Sequence, residues 1–321
     1  MRIYAYFLTA IGSLVLVGAT FVTDEPTDKI TLGRQLFFDK ILSRNRTVSC
    51  ATCHREEFAF ADTSAVSLGV RGRKGKRNTP SAMNVLLQAN FFWDGRAATL
   101  EEQALIPIAN PDEMDLPIDV AVKRLNASRA YRTYFKRVFG ELPNKTNLAK
   151  ALAQFQQTLE TNESPFDDWR MNDNEAAVSE SAKRGFALFN GKANCVQCHF
   201  GANFNNVEFR NIGLFNGKTL ADSGRAVVTK KAADLGKFKI GPLRNVALTA
   251  PYMHNGMFRT LAQVIDFYDD PDKVVPNAIN RDPLLAKPLG LAAQEKLDLE
   301  NFLRSLTDKR FLVSAKSGKK T

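Results

Sequence analysis

The chain is poor in the residues that most often carry chemistry. Its 321 residues include only three histidines, four cysteines and two tryptophans, and strand-like alternation is scarce. Without strands there is no βαβ unit, the usual setting of a redox C-x-x-C pair. Acidic residues are outnumbered, 34 against 44 Lys and Arg, for a formal charge of +10. Much of the excess sits in "RGRKGKR" (Arg71 to Arg77) and in the tail "KSGKK". No aromatic platform or nucleic-acid module accompanies that charge, so nucleic-acid binding is not expected. A solvated loop and tail are the default reading, open to an acidic redox partner or an anionic membrane face.

The few cysteines and histidines are nevertheless arranged. "SCATCHREEF" places Cys50, Cys53 and His54 in the order C-x-x-C-H, and "NCVQCHF" repeats it with Cys195, Cys198 and His199. Four cysteines admit a zinc set, two disulfides or two thioether attachments. A zinc site of four thiolates leaves both adjacent histidines unexplained. In C-x-x-C-H the thiols add to the two vinyl groups of a haem and the histidine becomes an axial ligand of its iron. This reading uses all four cysteines and two of the three histidines. It predicts two covalently bound haems c.

Residues 1–22 fit that chemistry. After Arg2, "IYAYFLTAIGSLVLVGATFV" is almost wholly apolar, with small residues near Gly18 and Ala19, the pattern of a signal peptide. Its length also allows an uncleaved anchor, the one expected contact with a membrane. Either form puts the folded part in the periplasm or cell envelope.

The haem motifs belong to a longer internal repeat. "LGRQLFFDKILSRNRTVSCATCH" and "RGFALFNGKANCVQCH" both carry Gly-x-x-Leu-Phe on a short helix ahead of the cysteines. Between them the segments read as helices. Thr99 and Glu102 form a capping box, and Pro107 is expected to stop that helix. "PIDVAVKRLNAS", "SRAYRTYFKRVFG" and "NLAKALAQFQQTLE" are amphipathic. A closing helix spaces Leu297, Phe302, Leu303 and Leu306 at helical intervals. The expected fold is all-α, two cytochrome c-like haem domains packed together with few or no strands. The domains are placed at 27–165 and 166–310, meeting near "ESPFDDW", with a basic tail at 311–321.

Two further blocks, "RNTPSAMN…FFWDGRAATLEEQALIPIANPDEM" and "PLRNVALTAPYMHNGMFRTLAQVIDFY", resemble the bacterial dihaem cytochrome c peroxidases, and among them the branch containing MauG. The resemblance runs from about Ile30 to Lys309. It implies a peroxidatic N-terminal haem ligated by His54 and an electron-transferring C-terminal haem ligated by His199. Glu113 then corresponds to the distal carboxylate that moves peroxide's proton, and Pro107 to its companion in the distal pocket. Trp93 corresponds to the indole placed between the haems. A Ca²⁺ is implied, held by the Asn78 side chain and the carbonyls of Thr249 and Pro251, oxygen donors that suit a hard cation. Alone, Glu113 reads as a loop acid, and Trp93 and Tyr268 as core aromatics.

Three positions depart from the commonest family pattern. Many members carry a ligating histidine after S-x-G; here the stretch is "SLGV", ending at Val70, so the first iron is expected to lack a protein sixth ligand. The usual axial Met of the second haem is replaced by Tyr268, an anionic oxygen donor that favours ferric iron, as in the MauG branch. The tryptophan through which MauG passes oxidising equivalents to its protein substrate is Ala193 here. The expected activity is reduction of hydrogen peroxide to water, with electrons from a small cytochrome c or a cupredoxin. The alternatives are a MauG-like oxidase of a protein or organic substrate and a dihaem electron carrier. Oligomeric state is left open.

Overall fold

A computed structural model describes residues 25–312, so the apolar N-terminal segment lies outside the described residues. Among these, eleven α-helices, several 3₁₀ turns and one two-stranded sheet follow in order. The helices are α1 (Lys29–Phe38), α2 (Cys50–Cys53), α3 (Leu100–Ala109), α4 (Ile118–Ala127), α5 (Arg129–Phe139) and α6 (Lys145–Gln157). They continue as α7 (Pro165–Met171), α8 (Glu180–Asn190), α9 (Ala226–Thr229), α10 (Leu261–Asp269) and α11 (Ala293–Ser305). Strands β1 (Phe209–Arg210) and β2 (Phe238–Lys239) pair antiparallel. No described helix is long and apolar enough to cross a membrane.

Most of the core falls into two clusters, one around Leu36, Phe37, Leu148 and Phe155, the other around Phe189, Phe204, Leu299 and Phe302. Each is built on one close helix crossing, α1 on α6 and α8 on α11. The repeated glycine explains the crossing. A Cβ on Gly33 would overlap the Ala151 carbonyl and sit 2.9 Å from Phe155 Cβ; on Gly185 it would overlap the Asp298 carbonyl and sit 2.9 Å from Phe302 Cβ. The Leu and Phe of Gly-x-x-Leu-Phe follow one turn later; Leu36, Phe37 and Phe189 are buried against the partner helix.

Two expectations are corrected. Pro107 does not stop α3, which runs on to Ala109. Proline lacks the N–H owed to the Gln103 carbonyl, but only the last turn is affected. In α11, Leu297 is 49% exposed, whereas Leu299 and Asp298 are buried. Asp298 turns inward because Arg184 grips it with two 2.8 Å bonds and Ser181 donates at 2.6 Å. The Arg184 guanidinium holds this carboxyl far below the usual range.

The repeat extends further than Gly-x-x-Leu-Phe. Asn84 and Asn245 both adopt left-handed backbone (φ 55° and 61°), which Asn tolerates. The Asn84 N–H donates to Leu159 O and its Oδ1 accepts from Thr161 N. The Asn245 N–H donates to Leu306 O and its Oδ1 accepts from Asp308 N. Asn245 Nδ2 also donates to Thr161 Oγ1 at 2.6 Å and Asn84 Nδ2 to Asn203 Oδ1 at 3.0 Å, so the two copies are stitched to each other.

Gly185→Ala tests the crossing. Overpacking costs about 1–3 kcal/mol, more than the roughly 1 kcal/mol that alanine gains over glycine inside a helix. The chemical-denaturation midpoint should fall; an unchanged or raised midpoint would mean that α8 and α11 separate freely.

Candidate functional site

Both C-x-x-C-H motifs present the histidine in the same way. In the first, Cys50 to Cys53 form α2 and the His54 N–H donates to Cys50 O at 2.9 Å. In the second, a 3₁₀ turn carries Cys195 and the His199 N–H donates to Cys195 O at 2.9 Å. Each ring then donates from Nδ1 to a backbone carbonyl, His54 to Phe60 and His199 to Phe204, both at 2.9 Å. A carbonyl can only accept, so the tautomer is fixed with the proton on Nδ1. Burial pushes both imidazoles below their ordinary pKa. The product is a neutral ring with a free Nε2 lone pair, the form an axial ligand needs.

The thiols are also in the state that addition to a vinyl group requires. Burial pushes Cys50 and Cys195 up to about 12 and Cys53 up to about 11. All four are unpaired, which removes the two-disulfide alternative. No group of three or more His, Cys, Asp or Glu among the described residues could hold a metal ion, which removes the four-thiolate one. Cys195, Cys198 and His199 open into a cavity of ≈ 260 Å³ whose lining is mostly apolar, including Ile240, Leu243 and Leu289. A planar apolar group bonded to two thiols and one imidazole fits this donor set.

Tyr268, on α10, lines that cavity. Its hydroxyl has no hydrogen-bond partner among the described residues, and burial, followed by the two cysteines, pushes its pKa up. It shares that cavity with His199.

Glu113 faces the first motif, where its charge acts on both Cys50 and Cys53. Burial raises its pKa, opposed by a 2.7 Å bond from Asn110 Nδ2 and by the charge of Arg96. Two neighbours fix the loop. The Pro107 carbonyl accepts from Met114 N, and the Glu113 carbonyl accepts from Val70 N at 2.7 Å. Val70 itself is buried in the first core. Gly69 belongs to the same device, since a Cβ there would overlap the Asp112 and Glu113 carbonyls. Asn110 and Gly69 were invisible to sequence reasoning, because only the folded loop brings them to Glu113.

Trp93 stands where the halves meet. Its indole Nε1 donates to Asn78 O at 2.8 Å, and its carbonyl accepts from Lys239 N at 2.8 Å. Reciprocally, the Asn78 N–H donates to His254 O at 2.7 Å. His254 is the repeat counterpart of Trp93: each lies in a tight loop, closed by Phe91–Ala97 and Tyr252–Phe258 bridges, with glycines at φ 66° and 64°. The shared signal was legible as Gly-x-x-x-Thr-Leu in "GRAATL" and "GMFRTL". The His254 ring stacks on Phe238 at 3.7 Å and meets the Trp93 edge at 6.5 Å. Burial pushes its pKa down to about 4, so it is neutral near neutral pH. Lys239, pushed down to about 8 by burial, reaches across to Gln88 Oε1 and Asn90 O. An ion network, Arg77 to Asp94 at 2.6 Å and to Asp222 at 2.7 Å, flanks this junction.

Asn78, Thr249 and Pro251, far apart in sequence, line one cavity. Asn78 Nδ2 donates to Ser64 O and Ala65 O, which turns Oδ1 away as a spare acceptor. The Thr249 and Pro251 carbonyls accept no hydrogen bond among the described residues. These oxygens suit Ca²⁺ in kind. Ala193 is buried in the second core and offers no redox group.

The family model for di-haem cytochrome c peroxidase matches residues 27–175. The methylamine utilization protein MauG of Methylorubrum extorquens is 39% identical over 281 residues, 87% of this chain and 78% of that protein. The cytochrome c551 peroxidase of Nitrosomonas europaea is 38% identical over 248 residues, 76% of this chain and 74% of that one. Among solved structures, a MauG-like protein associated with microbial copper homeostasis superposes with a TM-score of 0.81 at 33% identity, covering 90% of this chain and 92% of that one. With paired C-x-x-C-H sites on a helical scaffold, these likenesses place the chain in the di-haem cytochrome c peroxidase family, as an oxidoreductase that uses haem c and takes hydrogen peroxide as acceptor.

Proposed function

We propose that the protein reduces hydrogen peroxide at its N-terminal haem site and draws the electrons through its C-terminal one. The observation that carries this is Glu113, half-buried beside the first motif and held by a 2.7 Å bond from Asn110 Nδ2. Haem, when bound through Cys50, Cys53 and His54, supplies the iron at which the O–O bond is reduced. Glu113 accepts the proton of peroxide's inner oxygen and returns it to the outer one, which leaves as water. Asn110 aims the carboxylate, and the Pro107 carbonyl holds the loop. Val70 offers no ligand atom, so nothing from the "SLGV" stretch blocks that position. Two electrons and two protons balance H2O2 against two waters.

The electrons come from a small cytochrome c or a cupredoxin and pass the domain junction by Trp93, whose hydrogen bonds to Asn78 and Lys239 hold it rigid. His199 and Tyr268 would hold the iron of the second haem, and Cys195 and Cys198 would bond it covalently. Ca²⁺ at Asn78, Thr249 and Pro251 ties the two halves at the same junction. The halves are domains spanning 27–165 and 166–310 with a basic tail at 311–321, and the paired attachment sites support export to the periplasm. Tyr268 also favours a second reading, a MauG-like oxidase of an organic or protein substrate, because an anionic oxygen ligand stabilises oxidised iron.

Four outcomes follow. Glu113→Gln should lower kcat/KM for peroxide by roughly 100-fold or more with both haem bands retained. In the wild type, the rate should fall as pH drops through the Glu113 pKa, which burial lifts above the ordinary carboxylate value; that limb should vanish in the variant, and its persistence would assign the proton to another group. Tyr268→Met should raise the second haem's potential in a spectroelectrochemical titration, whereas an unmoved potential would mean that Tyr268 does not ligate. Chelation of Ca²⁺ should lower thermal stability and slow interhaem transfer, both restored by added Ca²⁺; indifference to chelator removes that site.

A further inference from the structure

The second tryptophan, Trp169, has no part in the reaction just described, yet its surroundings are organised. It lies half-buried on α7 at the rim of the second core. Its ring meets Phe166 edge-on at 6.0 Å and Phe186 at 5.7 Å. From there the rings continue without a break, Phe166 to Phe204 at 5.3 Å and Phe186 to Phe302 at 5.3 Å, then Phe302 to Phe189 at 5.0 Å. Phe204 is the residue whose carbonyl holds His199. The matching cluster around His54, formed by Phe37, Phe38, Phe60 and Phe155, contains neither tryptophan nor tyrosine. The tyrosines of that first core, Tyr131 and Tyr134, pair with each other, so among the described residues it is the second half whose ring contacts lead from a half-exposed tryptophan to the residue that holds its histidine.

The outer side of Trp169 is equally specific. Indole Nε1 donates to Glu175 Oε2 at 3.2 Å, and that carboxylate is exposed and paired with Lys183 at 2.7 Å. The Arg170 guanidinium lies over the indole, 5.2 Å from its centroid. A positive charge there opposes a cationic ring, so one-electron oxidation requires the N–H proton to leave as well. Glu175 is the base within reach, and its exposure passes the proton on to water.

We propose that Trp169 is a surface oxidation port of the second haem domain, through which small one-electron donors such as phenols feed electrons into the peroxidase. One electron leaves the indole toward His199 while its N–H proton moves to Glu175; the neutral indolyl ring then takes an electron and a proton from the donor. Two such passes supply the two electrons and two protons that reduce one H2O2 to two waters. The phenylalanines are not themselves oxidised; packed ring on ring, they carry the electronic coupling from the indole to Phe204, whose carbonyl bonds the His199 imidazole.

The port rests on the peroxidase reading, and one experiment separates them. The holoenzyme is mixed with equimolar peroxide and a nitroso spin trap without any donor; residual peroxide is measured, and peptides are sequenced by mass spectrometry. The expected result is peroxide consumption with an adduct on Trp169. Trp169→Phe, checked by an unchanged haem spectrum, should lose that adduct and oxidise phenols several-fold more slowly. Glu175→Gln, a surface change, should trap several-fold less. Consumed peroxide with Trp169 unmodified overturns the port and leaves the peroxidase standing. Peroxide left intact overturns both.

Discussion

Two reciprocal backbone hydrogen bonds set how the halves of this molecule face each other. Asn78 donates to the His254 carbonyl and Lys239 donates to the Trp93 carbonyl, a segment of each half holding the loop of the other. Because Trp93 and His254 occupy matching places in the repeat, the junction is a pseudo-twofold clasp rather than an incidental contact. Everything placed there depends on it. The indole gains its rigid position, three uncommitted oxygens come to line one cavity, and the Arg77, Asp94 and Asp222 ion network closes its side. Charges this enclosed are costly unless paired, so the clasp and the network stabilise one another.

Within each half, a different constraint acts. The histidine of C-x-x-C-H must be neutral and correctly turned, and the carbonyls of Phe60 and Phe204 accomplish both. These two phenylalanines sit at φ 55° and 49°, a strained conformation for a bulky residue. In both halves the strain lies next to the ligating ring, where a shift in the carbonyl would turn the imidazole. The close crossings at Gly33 and Gly185 supply the stiff backing. Matching scaffolds then carry different side chains, a carboxylate loop at the first site and a half-buried phenol at the second.

How much of this was readable in the sequence follows from how far apart the cooperating groups lie. The haem motifs were plain because covalent attachment needs its residues adjacent. The repeated Gly-x-x-Leu-Phe was visible, but its cause was not, since the carbonyl that excludes a Cβ belongs to a helix more than a hundred residues later. Leu297 was grouped with Phe302, Leu303 and Leu306 by helical spacing, but it lies on the exposed side while Asp298, held by Arg184, turns inward. Pro107 was expected to end a helix that absorbs it in its last turn. The positions of Glu113, Tyr268 and the three oxygen donors rested on resemblance rather than on any local signal. Carbonyl ligands leave no residue signature, and a loop acid looks the same whether or not it faces a reaction.

The central claim is that the first site is open in the resting protein, because Val70, buried in the first core, offers no ligand atom. The most direct measurement is to add one equivalent of peroxide to the fully oxidised holoenzyme and follow peroxide loss over a single turnover. The account predicts prompt, stoichiometric consumption with no prior reduction. Consumption that begins only after one haem has been reduced would contradict it, and would mean that another group closes the first site until an electron arrives.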